Sequence, residues 1–563
     1  MIERVIENWL SSANERQYQI PFCQLLAAEG ETIIQISSHG PSEQGKDVIS
    51  IAKNGDPCAY QLKRGPITLG RWREITPQIV ELVEYGIRHP SVRARAQHHS
   101  YLVTNGEVNT PALHAIDAAN RSWSQRKFRP LVVIDKGQLL SRFRKMHGSF
   151  LPKEPIDFRI FLELFLREGA EPLQKEKLSE FFESILPLEA EARQSHRDIG
   201  RAIASCVLLA SYVLRSSETA QNHWALFEGW TITGSYILAT ATKHRLAQIW
   251  WEQSFRLCQL GAQRALENLC EECEKRPHFV EGNALVDGHF YGERMTLLIG
   301  LLSALDLFLR IQGESRPKKD FILDFVETNI PCAHLWGESA VPFLFESALV
   351  IEGGGRSAVA EDRVVRIIRT IANVNAEERS RGFPNPYYGA EEAVRLSCGL
   401  ENDNREDFHG HSYTIEPLID FLARRQRRVA LSMMWEKITH VTFATLSRLA
   451  EWEWLRWRSQ SGSVDSRFPG KPQSWTELVD NASSVDLSGA PRLLRKNPAF
   501  VFFFMLVYPH RFNRALAKLA EDALNNASSQ EWRAAVRRTG GSQTAPAKSP
   551  AVNCRWVSKP PKT

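Results

Sequence analysis

The chain has 563 residues, 43% hydrophobic and 24% charged, the balance of a globular protein of several domains, which excludes wholesale disorder. No uninterrupted apolar run reaches the roughly 20 residues of a membrane span; the start MIERVIENWL lacks the basic and apolar pattern of a signal peptide, so with nine scattered cysteines a cytoplasmic protein without membrane contact is expected. The net charge of +5 is uneven, with 19 Lys and Arg against 14 Asp and Glu in residues 1–150, 44 against 50 in residues 151–530 and 7 against 1 in residues 531–563, a distribution compatible with nucleic-acid contact at the two ends or with ordinary surface scatter.

Residues 20–29 have helical spacing through Phe22, Leu25 and Leu26 and stop at Gly30. Residues 32–37 are a short β-branched run, and residues 47–52 alternate polar and apolar. Lys53-Asn54-Gly55-Asp56-Pro57 is a turn, and residues 59–63 return from it, which predicts a hairpin. Residues 71–87 have helical spacing through Ile75, Ile79, Leu82 and Val83. Residues 101–104 read as a strand before the Asn105-Gly106 turn, residues 111–120 as a helix, and residues 131–135 as another buried strand. One helix, three strands, then helix, strand, helix, strand predict an α/β unit with a mixed sheet, because two late strands separated by a helix need a parallel crossover.

From about residue 156 the texture becomes helical. Helices are predicted over residues 158–167, 189–215, 218–261, 294–311, 358–374 and 417–458, some of them split by a tight turn, and residues 459–474 read as a loop. Residues 499–508, the longest apolar run, read as a buried helix. Residues 538–563 read as a disordered basic tail. The expected organisation is an α/β domain over residues 1–150, an all-α helical array for sensing or oligomerisation over residues 151–530, and a tail over residues 531–563.

The hairpin carries the chemistry. Asp47 opens one strand, while Gln61 and Lys63 share a face of the returning strand. If the hairpin registers on its Asn-Gly turn, a carboxylate, an amide oxygen and an ammonium meet at one end of the sheet. A hard divalent cation takes oxygen ligands and keeps several waters, so Asp47 and the Gln61 carbonyl suit Mg²⁺ or Mn²⁺. Lys63 would orient an attacking water and stabilise charge building on a phosphate. A strand-end lysine on the surface and a turn aspartate are the bland alternative.

Asp47, Gln61 and Lys63 inside this αβββαβ order, with Gly45 two residues before the aspartate, resemble the PD-(D/E)xK nuclease superfamily and within it the Mrr-like restriction endonucleases. Leu102-Val103-Thr104-Asn105-Gly106 and Val132-Val133-Ile134-Asp135 add to the resemblance, which covers residues 10–148. It implies a restriction-endonuclease-like fold and Mg²⁺-dependent endonucleolytic cleavage of DNA, in particular foreign DNA in an antiphage or restriction-type defence system. It also implies a homo-oligomer or a defence-system partner. Family members carry a Glu on the first helix, where this chain has Gln19; Glu15 and Glu43 are the other acidic candidates, and Lys46, Arg64 and Arg71 are candidate phosphate contacts. A catalytically inactive, nucleic-acid-binding helical scaffold or adaptor is the alternative.

Other motifs read more plainly. Cys270 and Cys273 with Cys332 and His334 have the residue types of a zinc site, but their place at a helix end favours buried structural thiols. His409-Gly410-His411 beside Glu401, Asp403, Glu406 and Asp407 reads as a solvated loop. Gly353-Gly354-Gly355 lacks the context of a phosphate loop and reads as a turn. Arg424, Arg425, Arg427 and Arg428 with Trp452, Trp454 and Trp457 suit either a nucleic-acid surface or a solvated helix beside a tryptophan-rich core.

Overall fold

The structure, a computed structural model, describes residues 7, 10, 11, 13–37, 45–93, 97–147, 160, 161, 163–188, 195–276, 288–314, 316, 318–376, 383–397, 410–446, 450–457, 464–467 and 474–538. The N-terminal elements are α1 (Glu15–Glu29), β1 (Thr32–Ile36), β2 (Val48–Ile51), β3 (Pro57–Lys63), α2 (Leu69–Glu84), β4 (His99–Thr104), α3 (Thr110–Gln125), β5 (Leu131–Ile134) and α4 (Lys136–His147). The strands form one five-stranded sheet in the order β1-β2-β3-β4-β5, antiparallel across the first two pairs and parallel across the last two.

Local chemistry explains the punctuation. Gly30 adopts φ +94°, and Glu31 N donates to Leu26 O, so α1 closes on a left-handed glycine. The β2–β3 turn has Gly55 at φ +86°, and Asn54 Oδ1 accepts from Asp56 N at 3.0 Å. Thr68 and Asn109 cap α2 and α3 through their side chains. Helix α1 starts five residues before the predicted residue 20 and carries Pro21 inside it.

Alternation along the strands divides the core between two faces. Val48, Tyr60, Leu62 and Val103 pack with Tyr18 and Phe22 of α1 and Phe143 of α4. Ile49, Ala59, Leu102 and Leu131 pack with Trp72, Ile75 and Ile79 of α2 and Ile116 of α3. Gln61 and Lys63 alternate with Tyr60 and Leu62, so they stand on the α2 face.

The remainder is mostly helical: α5 (Lys175–Ile185), α6 (His196–Val213), α7 (His223–Lys243), α8 (Glu252–Lys275), α9 (Gly288–Gln312), α10 (Lys319–Asn329), α11 (Val341–Gly353), α12 (Ser357–Ala376), α13 (Ala390–Ser397), α14 (Ile415–Arg424), α15 (Arg428–Ile438), α16 (Trp475–Ser483), α17 (Phe500–Val507) and α18 (Arg514–Arg538). Helix α17 is wholly buried, with Phe503 against Phe227 of α7 and Phe308 of α9. The segment Tyr291–Gln312 is long and apolar enough to cross a membrane, but 72% of its most apolar window is buried inside the protein. Helix α1 packs on α6 and α8, and one apolar cluster continues from Tyr18 and Phe22 into the helical body.

Three expectations need correction. The body is not all-α: β6 (His411–Ser412), β7 (Thr442–Leu446) and β8 (Val464–Arg467) form a three-stranded sheet. The helical run predicted over residues 417–458 breaks after Arg424, where Gln426 takes φ +59°, and again after Ile438. The run over residues 218–261 is, by contrast, one of those expected to split: it forms two helices, α7 and α8, because Arg245 at φ +48° turns the chain. The tail begins later than residue 531, since α18 continues to Arg538; residues 539–563, Glu43 and the acidic run at 401–407 with His409 lie outside the described residues.

Candidate active site

Asp47 lies where β2 leaves the sheet. Its N–H donates to Tyr60 O at 2.8 Å, but the regular ladder starts one residue later, at Val48 paired with Tyr60. The carboxylate takes over the missing ladder bond: Asp47 Oδ2 accepts from Leu62 N at 2.6 Å. The same oxygen accepts from Gln61 Nε2 at 2.8 Å. Gln61 Oε1 is buried and has no hydrogen-bond partner among the described residues. Asp47, Gln61 and Lys63 are 3%, 4% and 6% exposed, so all three are withdrawn from bulk water.

Gly45 explains how the chain reaches Asp47. It has φ +70°, and a Cβ there would run into Gln78 O of α2 and stand 3.3 Å from Gln61 Oε1. Only glycine fits this approach without strain.

The end of the sheet is fixed from behind. Lys63 is the last residue of β3 and pairs with Thr104, the last of β4. Tyr18 Oη donates to Lys63 O at 2.8 Å and to Val103 O at 3.3 Å, clamping two parallel strands at their carboxyl ends. Burial and then the nearby Glu15 and Asp47 carboxylates raise the Tyr18 pKa, which keeps it a neutral donor. Asn105 Nδ2 donates to Leu10 O and Ala13 O, and Asn105 Oδ1 accepts from Gly65 N at 2.7 Å. Carboxyl ends of parallel strands are where α/β sheets place ligands. Tyr18 and Asn105 were not singled out from the sequence: one precedes Gln19 in an apolar helix, and the other reads only as a turn.

The remaining candidates separate. Glu15 stands at this sheet end and accepts from Arg64 N at 3.1 Å. Gln19 stands behind the aspartate: its Nε2 donates to the main-chain Asp47 O at 3.1 Å, and its Oε1 accepts from Arg264 at 2.9 Å. Arg64 is exposed, and Arg71 is partly exposed and paired with Glu74. Lys46 is a correction: it is 3% exposed and donates to Glu81 O at 3.2 Å, and burial lowers its pKa to about 8, so it is no surface phosphate contact.

The donor set suits a hard cation of modest demand. One carboxylate and an amide oxygen with no partner among the described residues, at a buried sheet end, match the way Mg²⁺ is held by one or two carboxylates with several waters. Among the described residues no group of three or more His, Cys, Asp and Glu gathers anywhere.

The basic and tryptophan-rich motif of the body is divided: Arg424 and Arg425 are partly buried in ion pairs, whereas Arg427 and Arg428 are exposed. Arg424 and Arg425 both pair with Glu521, Arg425 also pairs with Glu352 at 2.5 Å, and Arg427 pairs with Glu361. Trp454 and Trp457 are buried. Cys270 and Cys273 are buried thiols whose pKa values burial pushes up to about 12. His334 pairs with Glu293 at 2.9 Å, while Cys332 is exposed. Gly353 ends α11, and the next two glycines turn the chain. No family model, curated protein or solved structure matches the chain, so the resemblance to the nucleases stands on Asp47, Gln61, Lys63 and the order of elements around them.

Proposed function

We propose that the chain is a metal-dependent endonuclease of the PD-(D/E)xK type that hydrolyses phosphodiester bonds of DNA, with foreign DNA as the target in a defence setting. The observation that carries this reading is the Asp47–Gln61 hydrogen bond, which leaves a buried Gln61 oxygen unpartnered beside a carboxylate on the strand that ends at Lys63. Asp47 and Gln61 would hold Mg²⁺ or Mn²⁺, and Glu15 is the nearest described replacement for the family's helix glutamate. The cation supplies Lewis-acid polarisation of a phosphoryl oxygen and a water of lowered pKa. Lys63 contributes a fixed positive charge where the phosphate gains negative charge, in a site already drained of water. Gln61 orients the Asp47 carboxylate, and Tyr18 holds the main chain of Lys63. The helical body serves assembly or sensing, a role assigned because most of its motifs are spent on internal packing.

A second reading is favoured by one specific fact. The Asp47 oxygen that meets Gln61 also replaces a ladder acceptor for Leu62 N, which is sufficient reason for the aspartate in a fold that binds nucleic acid without cutting it. Incubation with supercoiled plasmid and Mg²⁺ separates the two. Nicking by the wild type that is lost in Lys63→Ala supports the nuclease. DNA retention with no cleavage by either protein supports the scaffold.

A further inference from the structure

We propose that Arg264, on α8 of the helical body, is a positioning residue that fixes Asp47 through Gln19, so that the seating of α8 against α1 regulates the site. This deepens the nuclease reading and rests on it. Arg264 Nη1 donates to Gln19 Oε1 at 2.9 Å, and Nη2 donates to Ser37 O at 2.7 Å. Gln19 Nε2 in turn donates to Asp47 O at 3.1 Å and Ser37 O at 3.4 Å. Ser37 N donates to Asp47 O at 2.9 Å.

Donor chemistry dictates the direction of this relay. A guanidinium only donates, so Gln19 must turn its oxygen to Arg264 and therefore its NH₂ to the Asp47 carbonyl. The Asp47 and Ser37 carbonyls accept from the same NH₂, so Arg264 reinforces an orientation that they share and holds the amide from its other side. Asp47 needs the help, because it stands one residue outside the regular β2 ladder and its carbonyl is held by Gln19 and Ser37. A charge-assisted bond polarises the amide and strengthens its second bond. Groups that orient a metal-binding carboxylate in this indirect way tune metal affinity strongly.

The surroundings give the link freedom to break. Gln19, Ser37 and Arg264 line a cavity of about 170 Å³ between α1 and the helices α6 and α8. Glu267, one turn further along α8, lines the same cavity, and its carboxylate attracts Arg264. Moving α8 away from α1 would leave Arg264 with Glu267 and release Gln19. A ligand or partner that shifts the body against the small sheet therefore changes how firmly Asp47 is held.

The test uses the full-length protein with Mn²⁺ as the probe. Calorimetric Mn²⁺ affinity, the Mn²⁺ concentration for half-maximal plasmid nicking, and the melting temperature are measured for wild type, Arg264→Ala, Arg264→Lys, Gln19→Leu and the Arg264→Ala/Gln19→Leu double variant. Arg264→Ala and Gln19→Leu should each weaken Mn²⁺ binding about tenfold. The double variant should lose clearly less than the sum of the two single losses, because both residues act on the same Asp47 carbonyl. Arg264→Lys should recover part of the loss. If Arg264→Ala does not fold, Arg264→Lys, which keeps the charge without the fork, must still weaken Mn²⁺ binding. Unchanged Mn²⁺ affinity in folded single variants, or additive losses in the double, overturns the relay while leaving the nuclease reading intact. A wild type that neither binds Mn²⁺ nor cuts overturns both.

Discussion

The side-chain amide of Gln61 donates to the Asp47 carboxylate at 2.8 Å and leaves its own oxygen buried without a partner among the described residues. A buried acceptor in that state costs free energy unless something fills it. Gln61→Leu should therefore weaken Mn²⁺ binding without lowering the melting temperature much, whereas a purely structural glutamine would show the reverse. Calorimetry and thermal unfolding of the same samples decide between them.

Lys63 and Asp47 should fail in different ways. On the proposed reading Lys63→Ala removes the charge meant for the phosphate and is expected to lower cleavage by about 10²–10⁴-fold with Mn²⁺ binding retained. Asp47→Ala also strips Leu62 N of its acceptor, which should cost about 1–3 kcal/mol of stability. Asp47→Asn keeps an oxygen for that N–H, so it should be more stable than Asp47→Ala yet equally inactive. A stable, active Asp47→Asn would remove the aspartate from the chemistry.

Gly45 is held at φ +70° with Gln78 O in the way of any Cβ. Gly45→Ala should lower stability by about 1–3 kcal/mol and disturb the Gln61 amide it touches, so cleavage should fall even in the folded fraction. Urea unfolding followed by nicking assays at low denaturant measures both losses.

Glu521 bridges Arg424 and Arg425 with its side chain 7% exposed. Glu521→Ala would leave Arg424 without the carboxylate it pairs with and Arg425 with Glu352 alone, and should cost about 3–5 kcal/mol. Replacing Arg424 and Arg425 by alanine should destabilise the body and leave the salt dependence of DNA retention unchanged. A flatter salt dependence in that variant would return these arginines to the nucleic-acid surface.

Glu338 supplies a pH signature. It is buried at the start of α14, where its Oε2 accepts from Tyr413 N at 2.7 Å and Thr414 N at 2.9 Å, yet desolvation outweighs these bonds and raises its pKa to about 7. A carboxyl whose folded pKa exceeds its unfolded value binds more protons when folded. Its contribution to stability is therefore fully present below about pH 4.5 and is lost as pH rises to about 7. The difference in melting temperature between wild type and Glu338→Gln should shift across pH 4.5–7 and stay constant above it. A difference independent of pH would show that Glu338 does not titrate in this range.

Much of the small sheet was legible in the sequence because its signals are local. Gly30 ends α1, Asn54-Gly55 turns the hairpin, and the apolar alternation that puts Gln61 beside Lys63 is written within seven residues of β3. Cys270, Cys273 and the phenylalanine run of α17 were also legible as core, since burial follows from apolar side chains at helical spacing, whereas Cys332 is exposed. The body was less legible. Residues 417–458 keep a helical period through Trp452 and Trp454, yet β7 is drawn out of that run by pairing with β6 and β8, partners that local periodicity cannot see. The arginine cluster looked like a surface because its acids, Glu352 and Glu521, lie 73 and 96 residues from Arg425.

By itself the sequence determined which residues could meet at the hairpin, because strand alternation and a two-residue turn leave little choice of partner. Only the tertiary structure decided that Gln19 faces the Asp47 backbone, that Lys46 is buried, and that Arg264 reaches Gln19 from 245 residues away. Those outcomes depend on how helix α8 seats against α1, and close packing of distant elements leaves no periodic trace in the chain.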